Sequence, residues 1–322
     1  MTIIYRRLST FIDVYRHSIF MKITTSAPGK LLLLGDHAVV WGYPCLVTAV
    51  NYRVFVEVSL SQKDEFIFPE GNGSSFVYTA LELFRKKFGK THNVRIKTWA
   101  EYKESYGLGS SSAVTVALMK ALAGLFSINL TNKELFDICY KVVLKIQGVG
   151  SGFDIAAAIW GGTLYFVTGG KKIEPLHVNN LPLIIAYSGS KGDTATLVKG
   201  VGKLYKEKPE EIKLLFQQSE KLVNEGEKLL VQQNYQTFGK LMNENHRILQ
   251  QIKVSTPKLD ELVNAAQKAG AYGAKLSGAG GGDCMIALAP PDKKEAVEKA
   301  LEKAGGTILS VRTNEEGVRV EN

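Results

Sequence analysis

The sequence predicts a two-domain α/β (α+β) protein: an N-terminal α/β domain followed by a C-terminal ferredoxin-like α+β domain. Three observations predict it. The 322 residues suffice for two medium-sized domains. Strand-like and amphipathic helical stretches interleave up to about residue 180. From Leu181 onward a new unit runs strand, helices, strand, helix, strand, the order of a two-layer α+β domain. The expected boundaries are 1–20 for an extension outside the fold, 21–180 for the first domain and 181–322 for the second.

The first twenty residues, MTIIYRRLSTFIDVYRHSIF, contain arginines and almost no acid, and Met21 follows them at once. They lack the apolar core and small-residue cleavage site of a secretory signal, so the domain is expected to begin at Met21. KITTSAP is strand-like, Pro28-Gly29 reads as a turn, and Leu31 to Leu34 form an apolar run suited to a buried strand. YRVFVEVSL alternates like a half-buried strand. SSFVYTALELFRKKFG has helical periodicity with a glycine stop, and VRIKTWAEY is another strand. A helix is expected from Ala113 to Phe126. The next begins at Thr131, which with Glu134 forms a capping box. SGFDIAAAIWGGTLYFV leads from a loop into a short helix and a strand. In the second unit LPLIIAYSG is a buried strand, followed by amphipathic helices at 208–232, 235–250 and 258–269. GAYGAKL, DKKEAVEKALEKAG and GTILSVRT then supply strand, helix and strand.

Composition excludes several classes. A hydrophobic fraction of 45% with 22% charged residues is that of an ordinary globular protein. No segment approaches the ~18 consecutive apolar residues of a membrane span. Cys45, Cys139 and Cys284 form no C-x-x-C pair and cannot all be disulfide-bonded. They point to a reducing, cytoplasmic setting with buried thiols. The net charge of +9 is spread through Lys/Glu-interleaved stretches such as KEKPEEIK. That is the pattern of solvated helix faces, not the basic stripe of a nucleic-acid binder, and a modest positive field also suits an anionic substrate.

Five segments carry chemistry. In YGLGSSSAVTVALMKALAGLF, Gly107 and Gly109 permit close backbone approach, and Ser110 to Ser112 stand at a helix N-terminus. This makes an anion site suited to phosphates; a serine cap on a core helix is the plainer alternative. SGAGGGDC puts Gly278, Gly280, Gly281 and Gly282 in one short loop, which implies a backbone pressed against a ligand phosphate or another chain segment. Asp154 lies in the apolar GVGSGFDIAAAIWGG, either as an ordinary helix N-cap or as an acid/base. Lys30 directly precedes the four leucines, where a solvated lysine has little place; it suits a pair with Asp154. Asp36 and His37 follow that strand. SGSKGDTATLV places Thr194 before a further helix.

PGKLLLLGDHAVVWGYP, GLGSSSA and KLSGAGGGDC resemble, in order and spacing, the three motifs of the GHMP kinases, and the resemblance covers nearly all of 21–320. It implies the two-domain GHMP kinase fold, with the phosphate loop in the N-terminal ATP-binding domain, the active site between the domains, and ATP with Mg2+ as cofactors. Asp154 and Lys30 resemble the catalytic pair. Gly107, Leu108, Gly109, Ser110, Ser111 and Ser112 resemble the phosphate loop, with Ser111 as the metal contact. Asp36, His37, Thr194, Gly278, Ala279 and Gly280 fall on the substrate side. Ser112 stands where the family usually has alanine and is expected to matter least.

The first motif and the long stretch NENHRILQQIKVSTPKLDELVNAAQKAGAYGAKLSGAGGG resemble the mevalonate-kinase branch. QGVGSGFD and Asp283 resemble the phosphomevalonate-kinase branch. The former covers more residues, including substrate-side ones, so the resemblance implies phosphorylation of mevalonate. The alternatives are 5-phosphomevalonate as acceptor and a non-catalytic ligand-binding homologue. Two departures stand out. Asp36 replaces the usual glutamate, and Val143 occupies the position of the usual metal-binding glutamate. Expected partners are the small-molecule substrate and ATP, without nucleic acid or membrane, and with room for a homodimer.

Overall fold

The computed structural model describes residues 22–68, 74–89, 92–101, 106–179 and 181–321. The extension expected over 1–20 lies outside the described residues. β1 (Lys22–Leu34) and β2 (Pro44–Leu60) pair antiparallel along almost their whole length, from Lys22 opposite Ser59 to Leu34 opposite Leu46. The expected turn at Pro28-Gly29 is instead a shift of register inside continuous β1. Proline has no N–H for a ladder, so a bulge accommodates it. The bulge also lets the Lys30 N–H leave the ladder and bond the carbonyl of Leu108 at 2.8 Å.

The four-leucine run is buried on both sides. Leu31 and Leu33 face a core shared with the C-terminal unit, whereas Leu32 faces the core under the N-terminal helices. β3 (Glu65–Ile67), β4 (Val94–Ala100), β5 (Thr163–Val167) and β6 (Lys172–Leu176) complete this side of the sheet. β4 pairs with β2, β3 with β4, β5 with the first part of β2, and β6 with β5.

α1 (Ser74–Phe88), α2 (Ser110–Leu125), α3 (Asn132–Gln147) and α4 (Phe153–Trp160) pack against this sheet and one another. Twelve of the sixteen residues of α2 are buried, which makes it the central helix of the layer. The expected capping box at Thr131 and Glu134 opens α3. Asp154 is not the N-cap of α4; Gly152 is, and Asp154 sits in the first turn.

The second unit is an antiparallel sheet of four strands: β7 (Leu183–Tyr187), β8 (Gly273–Leu276), β9 (Cys284–Leu288) and β10 (Thr307–Leu309). Their spatial order β10-β7-β9-β8 is ferredoxin-like. α5 (Thr194–Glu207), α6 (Pro209–Val231), α7 (Tyr235–Gln251) and α8 (Pro257–Lys268) lie between β7 and β8 in the chain, and α9 (Lys294–Lys303) between β9 and β10. Asp193, not Thr194, caps α5, accepting from the N–H groups of Ala195 and Thr196. The chain then returns: β11 (Arg319–Glu321) pairs with β1 in the first sheet. The buried Arg53 guanidinium fastens this tail by donating to the carbonyls of Glu316 and Gly317. No described helix is long and apolar enough to cross a membrane.

Candidate active site

One cavity collects residues from both units: Lys30 of β1, Gly107 and residues 109–111, Asp154 of α4, the turn before α5, and the loop between β8 and β9. The start of α2 forms one wall. Its N-cap, Gly109, adopts φ 87° and offers no side chain to the first-turn N–H groups, which are left for a ligand. A methyl group on Gly107 would lie 2.5 Å from the Asp283 carboxyl carbon, and one on Gly109 would meet the Lys30 stem at 3.2 Å. Both glycines thus allow the loop to close on charged side chains.

Lys30 is nearly buried, and its Nζ donates to the Gly107 carbonyl at 3.1 Å, 5.6 Å from the centre of the Phe153 ring. Asp154 also lines the cavity. Its Oδ2 accepts from the Ser112 hydroxyl at 2.5 Å and its Oδ1 from the Ile155 N–H at 3.1 Å. Lys30 and Asp154 therefore face the same space, but among the described residues no ion pair within 4.0 Å joins them.

Not all the expected phosphate-loop residues reach the cavity. Gly107, Gly109, Ser110 and Ser111 line it; Leu108 and Ser112 do not. The Leu108 side chain belongs to the core, and Ser112 is buried with its hydroxyl on Asp154. The spacing of three consecutive serines on a helix, ~100° apart, sends the third away from the first two.

The substrate-side expectations divide similarly. His37, Thr194, Gly278 and Ala279 line the cavity. Asp36 does not. It is buried in an ion pair with Lys275, Oδ2 to Nζ 2.7 Å, both side chains wholly inaccessible, and its Oδ1 accepts from the Gly278 N–H at 2.7 Å. Burial pulls the Lys275 ammonium below its ordinary range while Asp36 opposes that shift. His37 bonds the Ala279 carbonyl through Nε2 at 2.8 Å, and burial lowers its pKa. Asp36 and His37 thus hold the Gly278–Ala279 rim from the other domain. Ser277 adds a second tie, its hydroxyl accepting from the N–H of Leu32 and donating to its carbonyl. Gly280 faces the Val254 backbone instead of the cavity, and Gly281 donates its N–H to the Val254 carbonyl at 2.8 Å. Of the two occupants the glycine loop allowed, chain segments account for this part.

Sequence reading missed Lys275, Ser277, Lys191 and the packing of Asp283. Asp283 lines the cavity, accepts from the Gly192 N–H at 3.2 Å, and has its pKa raised by burial against the opposing pull of that bond and of Lys30 and Lys191. Its place after a glycine run was visible; its contact with Gly107 was not. All three cysteines are free and buried, and burial pushes the Cys284 thiol up to about 12.

The oxygen donors that line the cavity include the Ser111 hydroxyl and the Asp154 and Asp283 carboxylates, while Val143 presents an apolar wall. Among the described residues no group of three or more His, Cys, Asp or Glu could hold a metal. This donor set fits a hard cation that arrives with nucleotide phosphates and keeps several waters, as Mg2+ does.

Comparison with known proteins follows the same division of the chain. Residues 75–162 match the family model of the GHMP kinases N terminal domain, and residues 227–307 that of GHMP kinases C terminal. A mevalonate kinase of Thermococcus gammatolerans is 36% identical, over 94% of this chain and 99% of its own. The structure of L. major mevalonate kinase in complex with R-mevalonate superposes with a TM-score of 0.78 at 26% identity, covering 90% of this chain and 95% of that one. A Streptococcus pneumoniae phosphomevalonate kinase, in complex with phosphomevalonate and AMPPNP, superposes with the same TM-score of 0.78 at 18% identity, covering 91% and 100%. That last likeness speaks to the fold alone.

Proposed function

The chain belongs to the GHMP kinase family, and from that membership we propose that it is an ATP-dependent mevalonate kinase, transferring the γ-phosphoryl group of ATP to the 5-hydroxyl of mevalonate. The observation that carries the reading is one cavity in which an uncapped helix N-terminus, Lys30 and Asp154 meet. Phosphoryl transfer needs positioning and charge stabilisation more than covalent participation by the protein, and these parts supply both.

The first-turn N–H groups of α2 and the hydroxyls of Ser110 and Ser111 hold the nucleotide phosphates. Asp154 takes the proton of the 5-hydroxyl as its oxygen bonds to phosphorus and the bond to the ADP oxygen breaks. The Lys30 ammonium steadies the charge developing beside Asp154. His37, Thr194, Gly278 and Ala279 border the acceptor. The Ser111 hydroxyl would, together with the nucleotide phosphates, hold a Mg2+ ion, which when bound would neutralise phosphate charge. The three free, buried thiols support a cytoplasmic setting.

A second acceptor, 5-phosphomevalonate, is favoured by one observation: the exposed Lys191 at the cavity edge offers a further cation. ADP release measured with mevalonate and with 5-phosphomevalonate side by side separates the two. Turnover of mevalonate, lost by several orders of magnitude in Asp154→Asn with ATP binding retained, is the expected result. Turnover of the phosphorylated acceptor alone would overturn the assignment.

A further inference from the structure

The Ser112 hydroxyl lies in the first turn of α2, one residue beyond Ser111, and donates to Asp154 Oδ2 at 2.5 Å. Ser112 is 2% exposed and does not line the cavity, so solvent and ligand do not compete for this hydroxyl. A buried hydroxyl without a partner is costly, and Asp154 is the partner that makes a serine tolerable where alanine would fill the space. The other bond to the carboxylate comes from Ile155, the next residue of the same helix.

Carboxylate rotation about the last aspartate torsion is broad and nearly two-fold. Position in the first turn of α4 therefore does not by itself decide the plane in which the carboxylate meets the cavity. A charge-assisted hydrogen bond from a second helix does decide it. The same helix presents Ser110 and Ser111 to the cavity, so one rigid element touches both the phosphate side and the carboxylate.

We propose that Ser112 is a positioning residue that fixes the Asp154 carboxylate relative to the phosphate-binding start of α2. This rests on the reading of Asp154 as the group that accepts the acceptor's proton. Ser112 binds neither nucleotide nor acceptor; it acts through Asp154. The expectation that it would matter least is reversed. In this chain the three serines divide between two tasks, the first two toward the cavity and the third toward the carboxylate.

Steady-state kinetics of Ser112→Ala, Ser112→Cys and Ser112→Thr with mevalonate and ATP test this, together with calorimetric ATP binding and urea midpoints. Misplacing a reacting group costs rate and not affinity, so Ser112→Ala should lower kcat about tenfold while KM for both substrates and the ATP dissociation constant stay within about twofold. Ser112→Cys keeps the volume but not a strong donor and should fall like alanine; Ser112→Thr keeps the hydroxyl and should recover most of the rate. A kcat within about twofold of wild type in either the Ala or the Cys variant, or an equal loss in all three, overturns the proposal. Asp154→Asn run in parallel separates the two levels. If it abolishes turnover while Ser112→Ala is unimpaired, only the positioning role fails. If Asp154→Asn turns over normally, the role of Asp154 itself fails.

Discussion

Lys275→Met is the perturbation that most directly tests how the two domains are held in register at the site. Lys275 and Asp36 are both fully inaccessible through their side chains, and their charged atoms are 2.7 Å apart. At an effective dielectric constant of ~20, that separation gives a bare attraction of about 6 kcal/mol. Desolvation offsets most of it, so the pair contributes little net stability over a neutral replacement. Breaking one side is a different matter, because the remaining charge stays buried without its partner, at a cost of about 3–5 kcal/mol. Lys275→Met strands the Asp36 carboxylate, which among the described residues retains the Gly278 N–H. Asp36→Asn strands the ammonium in turn. The double variant strands neither and should recover most of the loss, giving a coupling energy of at least ~2 kcal/mol in a double-mutant cycle by urea denaturation. Since Gly278 hangs from Asp36, KM for the acceptor should rise in both single variants. A Lys275→Met protein within about 1 kcal/mol of wild type, or strictly additive losses in the double variant, would refute this account of the pair.

Two further predictions concern titrating groups. Burial raises the pKa of Asp283, so the folded state holds that proton more tightly than the unfolded chain. Stability from this group is then present at low pH and is lost as pH rises through the elevated value. Asp283→Asn should therefore raise the urea midpoint, more at pH 7.5 than at pH 4.5, because Asn keeps an oxygen for the Gly192 N–H and tolerates the φ of 57°. A lower midpoint at pH 7.5 would show that the charge is used in folding. His37 and His246 have the opposite linkage: burial lowers both, with the Ala279 carbonyl and Asp260 respectively opposing. The folded state resists their protonation, so stability is complete above the ordinary value of 6.5 and falls as pH drops below it toward the lowered values. The slope should approach as much as ~1.4 kcal/mol per pH unit for each histidine. Equal unfolding free energies at pH 7.5 and pH 5.5 in the Asp283→Asn protein, where the opposing group is removed, would contradict it.

Much of the fold was legible because periodicity reports burial. The long run Leu31–Leu34 announced a strand covered on both faces, and the structure divides those leucines between two cores. The capping box at Thr131 was equally local: a hydroxyl, a carboxylate three residues on, and the N–H groups between them. What periodicity does not report is pairing across the chain. β3, β6 and β11 are short, and β11 is defined by a partner nearly 300 residues away. The Pro28-Gly29 error has the same source. Proline and glycine signal a break in local conformation, but here the flanking residues hold the strand together by pairing with β2, and the break shrinks to a bulge.

The candidate site divides along the same line, between what a residue is and where its side chain points. Lys30, Asp154 and the glycine–serine loop were legible as chemistry, since a lysine before a leucine run and an acid within an apolar segment both need a reason. Direction was not legible. Asp36 and His37 are adjacent in sequence, yet one turns into a buried ion pair and the other borders the cavity. Both still act on the same loop, one through the Gly278 N–H and the other through the Ala279 carbonyl. Ser111 and Ser112 part company in the same way, because one step along a helix rotates the side chain by about 100°. Residues that a motif groups together therefore divide into those that line the cavity and those that bond to its walls, and the division follows from backbone geometry that a motif does not record. For Ser112 that division has a kinetic consequence: loss of its hydroxyl should be felt at Asp154, in kcat, and not in the binding of the nucleotide beside it.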